Sequence, residues 1–246
     1  MNTFKQILIT GISSDLGTVL ANAFATDKGI NIIGSMRRKL LPDDNFPDNV
    51  LIVDECDLTD IKDAKRIASV VSATFHEQFS LIHSVGNFWE HVPFLQTSSL
   101  EAQKMFESHM LTLYTVLQEI IPIMISNGGG SCVAFSCNST KYNYPLMAAF
   151  TASKSSIESL IRSLAHEFSG DRIRFNSLSL ASLKTKKVKE SKPHGDFVNF
   201  LDPLELVPII RFLLSDDSIY VNGTTFNIYK YSDNFYRKGY LSRIAK

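Results

Sequence analysis

Short apolar runs alternate along the chain with longer stretches whose apolar residues recur at helical spacing. Lys5 to Thr10 is one such run, as a strand covered on both faces requires. Ile30 to Met36, Val50 to Val53, Leu81 to Val85, Ser131 to Ser136, Arg172 to Leu180 and Thr225 to Tyr229 repeat it. Between them Leu16 to Asp27, Leu100 to Ile125, Phe150 to Phe168 and Pro203 to Leu214 read as helices. A further helix runs through Ala64, Ile67, Ala68 and Val71, with Asp60 as its N-cap. Pro122 predicts a kink in the Leu100 to Ile125 helix. Gly128-Gly129-Gly130 ends that helix. Alternating β and α elements call for an α/β fold with a doubly wound parallel sheet in three α/β/α layers. One domain over residues 1–246 is expected.

Composition narrows the function classes. Hydrophobic residues are 44% and charged residues 20%, ordinary for a globular chain. Lys plus Arg is 25 and Asp plus Glu is 25, so the net charge is zero. Such a chain has no long-range field for nucleic acid or an anionic membrane, and neither is expected as a partner. Cys56, Cys132 and Cys137 lack the spacing of a disulfide framework or a zinc site, so no metal is expected. The N-terminal apolar run is too short for a signal core, and no window approaches the roughly 18 apolar residues of a membrane span. A cytoplasmic protein is the resulting expectation.

In a doubly wound sheet, ligands bind at the carboxyl ends of the strands. Thr10-Gly11-Ile12-Ser13-Ser14-Asp15-Leu16-Gly17 lies there, after the first strand and at the start of the first helix. Its glycines allow a tight turn, and the helix N-terminus offers N–H groups to a pyrophosphate. The segment resembles the TGxxxGxG loop of the short-chain dehydrogenase/reductase family, and later landmarks extend the resemblance over nearly the whole chain. The resemblance implies a Rossmann-like fold, a nicotinamide dinucleotide and hydride transfer at a carbonyl or alcohol carbon. Gly11, Ser13, Ser14, Asp15, Leu16 and Gly17 would then form the phosphate loop. Asp15 stands where the family usually has a glycine; it either faces away as a first-turn carboxylate or weakens the site.

The second strand ends Ser35-Met36-Arg37-Arg38, without the carboxylate that takes the ribose 2′-hydroxyl of NAD. Ser35, Arg37 and Arg38 suit a 2′-phosphate instead, so NADP(H) is favoured over NAD(H). By resemblance Asp57 and Leu58 border the adenine, Gly86 closes the motif after the fourth strand, and Thr185 contacts the nicotinamide amide.

The proton-transfer set departs from the family. Its YxxxK motif falls on Phe150-Thr151-Ala152-Ser153-Lys154, so Lys154 is present and the tyrosine is Phe150. A phenyl ring has no proton to give. The family's serine position is Cys137, a weaker donor, and its asparagine position is His109. Tyr142, Tyr144, His91 and His109 are candidates for a replacement acid. Two readings follow: an atypical NADP(H)-linked oxidoreductase, or an inactive dinucleotide-binding protein serving as sensor, scaffold or subunit partner. Lys184, Lys186, Lys187 and Lys189 crowd the segment after the sixth strand and suit an anionic small-molecule substrate, or else a solvated loop. Trp89 lies near the cleft, and the tail Arg237 to Arg243 reads as a surface or subunit contact. The two long helices are the family's pairing surfaces, so a homodimer or homotetramer is implied.

Overall fold

The apolar runs become seven parallel strands of one sheet, ordered β3-β2-β1-β4-β5-β6-β7. The structure, a computed structural model, describes residues 4–87 and 91–230. The strands are β1 (Gln6–Thr10), β2 (Asn31–Ser35), β3 (Val50–Val53), β4 (Phe79–His83), β5 (Gly130–Cys137), β6 (Ile173–Leu180) and β7 (Thr225–Ile228). Thr10 pairs with Ser35 on one side and His83 on the other, so the order reverses at β1. The crevice at that switch point is where the sheet leaves room for a ligand.

The helices are α1 (Asp15–Ala25), α2 (Ile61–Thr74), α3 (Ser99–Phe106), α4 (Thr112–Ser126), α5 (Ser139–Tyr142), α6 (Ala148–Glu167), α7 (Lys186–Ser191) and α8 (Val207–Leu214). Leu20 and Phe24 of α1 and Ile210 and Leu213 of α8 pack on one face of the sheet. Ile67 and Val71 of α2, Leu117 of α4 and Ile161 of α6 pack on the other. This is the expected three-layer arrangement.

Three local expectations are revised. Helix α4 runs on through Pro122, which is exposed together with Gln118, so the carbonyl that loses its partner faces water. The irregularity lies instead at Glu107–Leu111, a π-helical turn between α3 and α4. Strand β4 ends at His83, and Ser84 continues only as a backbone bond to Thr10 O at 3.0 Å. The lysine-rich segment carries a short helix, α7, because Thr185 caps it by accepting from Val188 N. Contrary to the sequence expectation that no window approaches a span, the 28-residue helical stretch Ser99–Ser126 holds an 18-residue window of mean hydropathy 1.2, enough by length and composition to cross a membrane. Half of that window is buried within the fold, as in a helix packed on a sheet.

Candidate cofactor cleft and proton-transfer site

A cleft of about 360 Å³ opens over the carboxyl ends of β1, β2 and β4. Gly11, Ser13, Ser14, Ser35, Arg37 and Asp57 line it, with Leu58 and Gly86 further along. Gly11 has φ +74°, a left-handed conformation that an L side chain strains to adopt. A Cβ on Gly17 would lie 2.3 Å from Gly11 O, so the helix approaches the strand only with glycine there. Ser14 caps α1 by accepting from Gly17 N at 2.9 Å. Leu16 packs into the apolar cluster beneath α1. Asp15 turns to the segment after β6, where its Oδ2 accepts from Lys187 N at 2.9 Å.

The end of β2 carries unspent polarity. Ser35 is 1% exposed and its Oγ has no hydrogen-bond partner. A buried hydroxyl without a partner is costly, and a ligand oxygen would relieve it. Arg37 lines the cleft beside Ser35. Arg38 does not: both its terminal nitrogens lie 2.5 Å from the carboxylate oxygens of Asp44. That fork, with Leu41 N, pulls the Asp44 carboxyl down to about 2. Asp57 accepts from Thr59 N and Thr59 Oγ1, which lowers its pKa. A glycine cradle, an orphan hydroxyl and an open arginine fit a dinucleotide with a 2′-phosphate.

Beyond Gly86 of the cleft wall lie His109 from the π-turn and Lys154 and Phe150 from α6, with Cys137 of β5 near enough to Lys154 to act on its charge. Lys154 is 8% exposed, and its Nζ donates to Phe135 O at 3.1 Å. It lies 5.9 Å from the centre of the Phe150 ring. Burial lowers its pKa to about 8, against a smaller opposing effect of Cys137. Cys137 is half-buried. Its neighbour Ser136 cannot stand in for it, because Ser136 Oγ donates to Glu158 at 2.5 Å.

His109 is fully buried and spends both ring nitrogens inside the protein. Nε2 lies 3.1 Å from Asn87 O, and Nδ1 lies 2.9 Å from Ser153 Oγ. A carbonyl only accepts, so Nε2 carries the proton and Nδ1 is an acceptor; the single Ser153 hydroxyl proton is shared between Nδ1 and Phe150 O, 2.8 Å from Ser153 Oγ. Burial, and then the charge of Lys154, push its pKa down to about 2. The ring meets Phe150 edge-on, with centres 5.4 Å apart. A Cβ on Gly86 would lie 2.7 Å from His109 Cδ2, so the histidine requires that glycine. His83 is held likewise, with Nδ1 2.8 Å from Thr10 Oγ1 and Nε2 3.3 Å from Thr112 Oγ1. Burial lowers it to about 3. Both histidines are therefore neutral at pH 7 with no free nitrogen.

The structure thus brings Lys154, Phe150, His109, Cys137 and Gly86 together. The other acid candidates are exposed: His91, and Tyr142 and Tyr144, which stack on each other 6.0 Å apart, with Tyr144 Oη 3.5 Å from Nδ2 of Asn138, the residue after Cys137. Thr185 is spent on capping α7. Trp89 and the Arg237 to Arg243 tail lie outside the described residues. Sequence reasoning missed Ser153, Asn87 and Thr112 as partners of the histidines. The clue was Ser153, a small polar residue three positions after Phe150 on the buried face of α6.

Residues 44–229 match a family model described as enoyl-(acyl carrier protein) reductase. The chain is 21% identical over 231 residues to the uncharacterized oxidoreductase YciK of Escherichia coli K12, covering 91% of each. It is 24% identical over 240 residues to the 3-oxoacyl-[acyl-carrier-protein] reductase FabG of Thermotoga maritima, covering 91% of this chain and 96% of that one. Among solved structures, ElxO with NADP bound superposes with a TM-score of 0.82 at 18% identity, over 92% of this chain and 97% of that one. A tyrosine-to-phenylalanine variant of ElxO with NADPH bound gives a TM-score of 0.82 at 19% identity, over the same shares. Loop, sheet order and family match agree: the chain belongs to the short-chain dehydrogenase/reductase family of oxidoreductases.

Proposed function

We propose that this protein is an NADP(H)-linked oxidoreductase acting on a carbonyl or alcohol carbon, with Lys154 holding the transferred proton. The observation that carries the reading is Lys154 itself. It is a buried ammonium beside Phe150, with a pKa of about 8 and histidine neighbours that have no proton to spare. An acid tuned close to neutral pH suits general acid–base work. When bound, NADP(H) supplies or takes the hydride. Ser35 and Arg37 would hold the 2′-phosphate, and the Gly11 to Ser14 backbone the pyrophosphate. Asp57 and Leu58 would border the adenine. The exposed lysines of α7 favour an anionic small-molecule substrate. Exposed apolar residues on α3 and α4, Leu100, Phe106 and Tyr114 among them, favour pairing of two copies. Three free cysteines suit a reducing cytoplasm.

A second reading, a dinucleotide-binding protein without turnover, is favoured by the Phe150 ring packed edge-on against His109. Titration with NADPH and with NADH tests the shared premise. Micromolar binding of NADPH and much weaker binding of NADH is expected; binding of neither would end both readings. Turnover is then sought by following NADPH oxidation with phosphorylated and carboxylated carbonyl compounds. On the first reading the rate falls as pH rises through about 8, where Lys154 loses its proton, and Lys154→Met abolishes it. Phe150→Tyr raises it. Binding without turnover in wild type and in Phe150→Tyr supports the second reading.

A further inference from the structure

We propose that Asp15 is a positioning residue that latches the lysine-rich segment after β6 onto the phosphate loop. The inference rests on the reading of that loop as a cofactor site and concerns its regulation. Asp15 is the first residue of α1, next to Ser14 at the rim of the cleft. Its carboxylate does not face the cleft; it crosses to Lys187 N, 172 residues away in the chain. That N–H belongs to the first turn of α7, where helical geometry supplies no partner.

The segment has little else to hold it. Residues 185–200 include no buried side chain. Its ends are fixed where Leu183 bridges Leu201 and Lys184 N donates to Leu201 O at 2.7 Å. Among the described residues, every other hydrogen bond made within 185–200 is local to the segment. Among the described residues, the Asp15 bond is thus the one polar tie between this strap and the start of α1, next to Ser14 of the cleft. A glycine at position 15 could not make it. The latch keeps the strap docked before any cofactor arrives, so it governs how fast a dinucleotide enters and leaves.

Three substitutions separate the latch from the charge. Asp15→Asn removes the charge but keeps an oxygen that accepts from Lys187 N. Asp15→Ala removes both. Lys187→Pro removes the N–H and keeps the Asp15 carboxylate while losing the Lys187 ammonium, at a first-turn position where proline is tolerated. Trypsin cleavage after Lys184 and after Lys189 is followed by mass spectrometry. NADPH association and dissociation are followed by stopped-flow fluorescence. Asp15→Ala and Lys187→Pro are expected to be cleaved about three- to tenfold faster than wild type, the weight of one hydrogen bond, with Asp15→Asn near wild type. Compared with Asp15→Asn, Asp15→Ala should raise both NADPH rates by the same factor and leave Kd unchanged. Equal cleavage in all four proteins overturns the latch, as does a change in Kd with no change in cleavage. If none of them binds NADPH, the cofactor reading fails instead, and cleavage alone decides the latch.

Discussion

The two ends of the cleft treat their polar groups in opposite ways. At the β2 end, hydrogen-bonding capacity is left open: Ser35 Oγ has no partner, and Arg37 lines the cavity. At the α6 end the ionisable groups are partnered internally, though Thr151 Oγ1 and Ser139 Oγ are not: His83 and His109 each spend both nitrogens on the protein, and Lys154 Nζ donates to Phe135 O. An unfilled donor or acceptor is costly unless something binds it, so the open end is built to receive a ligand. A filled network is built to hold a shape. On the proposed reading, cofactor binding and proton transfer would be separable in this molecule, with Lys154 as the group that links them.

The largest expected effect strikes the closed end. His83 and His109 fold as neutral groups, with pKa values of about 3 and about 2 against an ordinary 6.5. The unfolded chain binds their protons first, so their neutral burial is favourable above pH 6.5 and progressively penalised below it. Each histidine should cost about 1.4 kcal/mol per pH unit between pH 6.5 and 4.5. Urea midpoints across that range should fall steeply, and His109→Gln should roughly halve the slope. A flat profile would mean that the histidines are not held neutral.

Next comes the scaffold of the open end. Gly17→Ala puts a methyl group 2.3 Å from Gly11 O, a backbone atom that cannot step aside. A loss of about 3 kcal/mol is expected, read as a lowered Tm, together with loss of NADPH binding. Arg37→Ala should then weaken NADPH binding about tenfold and leave NADH untouched. Arg38→Ala should change neither, because Asp44 already holds that guanidinium. Equal effects of the two arginines would break the assignment of the open end. Smallest is Ser35→Ala, which should weaken NADPH about threefold while slightly stabilising the free protein, since it removes a buried orphan hydroxyl. Calorimetric titration and a melting curve read both signs.

Much of this was legible in the chain. The apolar runs placed all seven strands, with β4 displaced by two residues because Ser84 and Val85 read as strand but follow its ladder. The glycine loop after β1 and the Phe150 to Lys154 segment were found by their resemblance to the family's motifs. What spacing could not show was occupancy. Arg37 and Arg38 are adjacent and chemically identical, and only the fold shows that one pairs with Asp44 and the other does not. His109 looked like a candidate acid until Asn87 and Ser153, 22 and 44 residues away, were seen to take its nitrogens. The Asp15 bond spans 172 residues and has no local signature.

The chain alone determined the layer order, the position of the glycine loop after β1 and the absence of a tyrosine at 150, because periodicity and motif spacing are local properties of covalent order. Only the tertiary structure decided which polar atoms are spent. Hydrogen bonds reach about 3 Å in space whatever the distance along the chain. A side chain's protonation likewise depends on the burial and charge that distant segments bring to it.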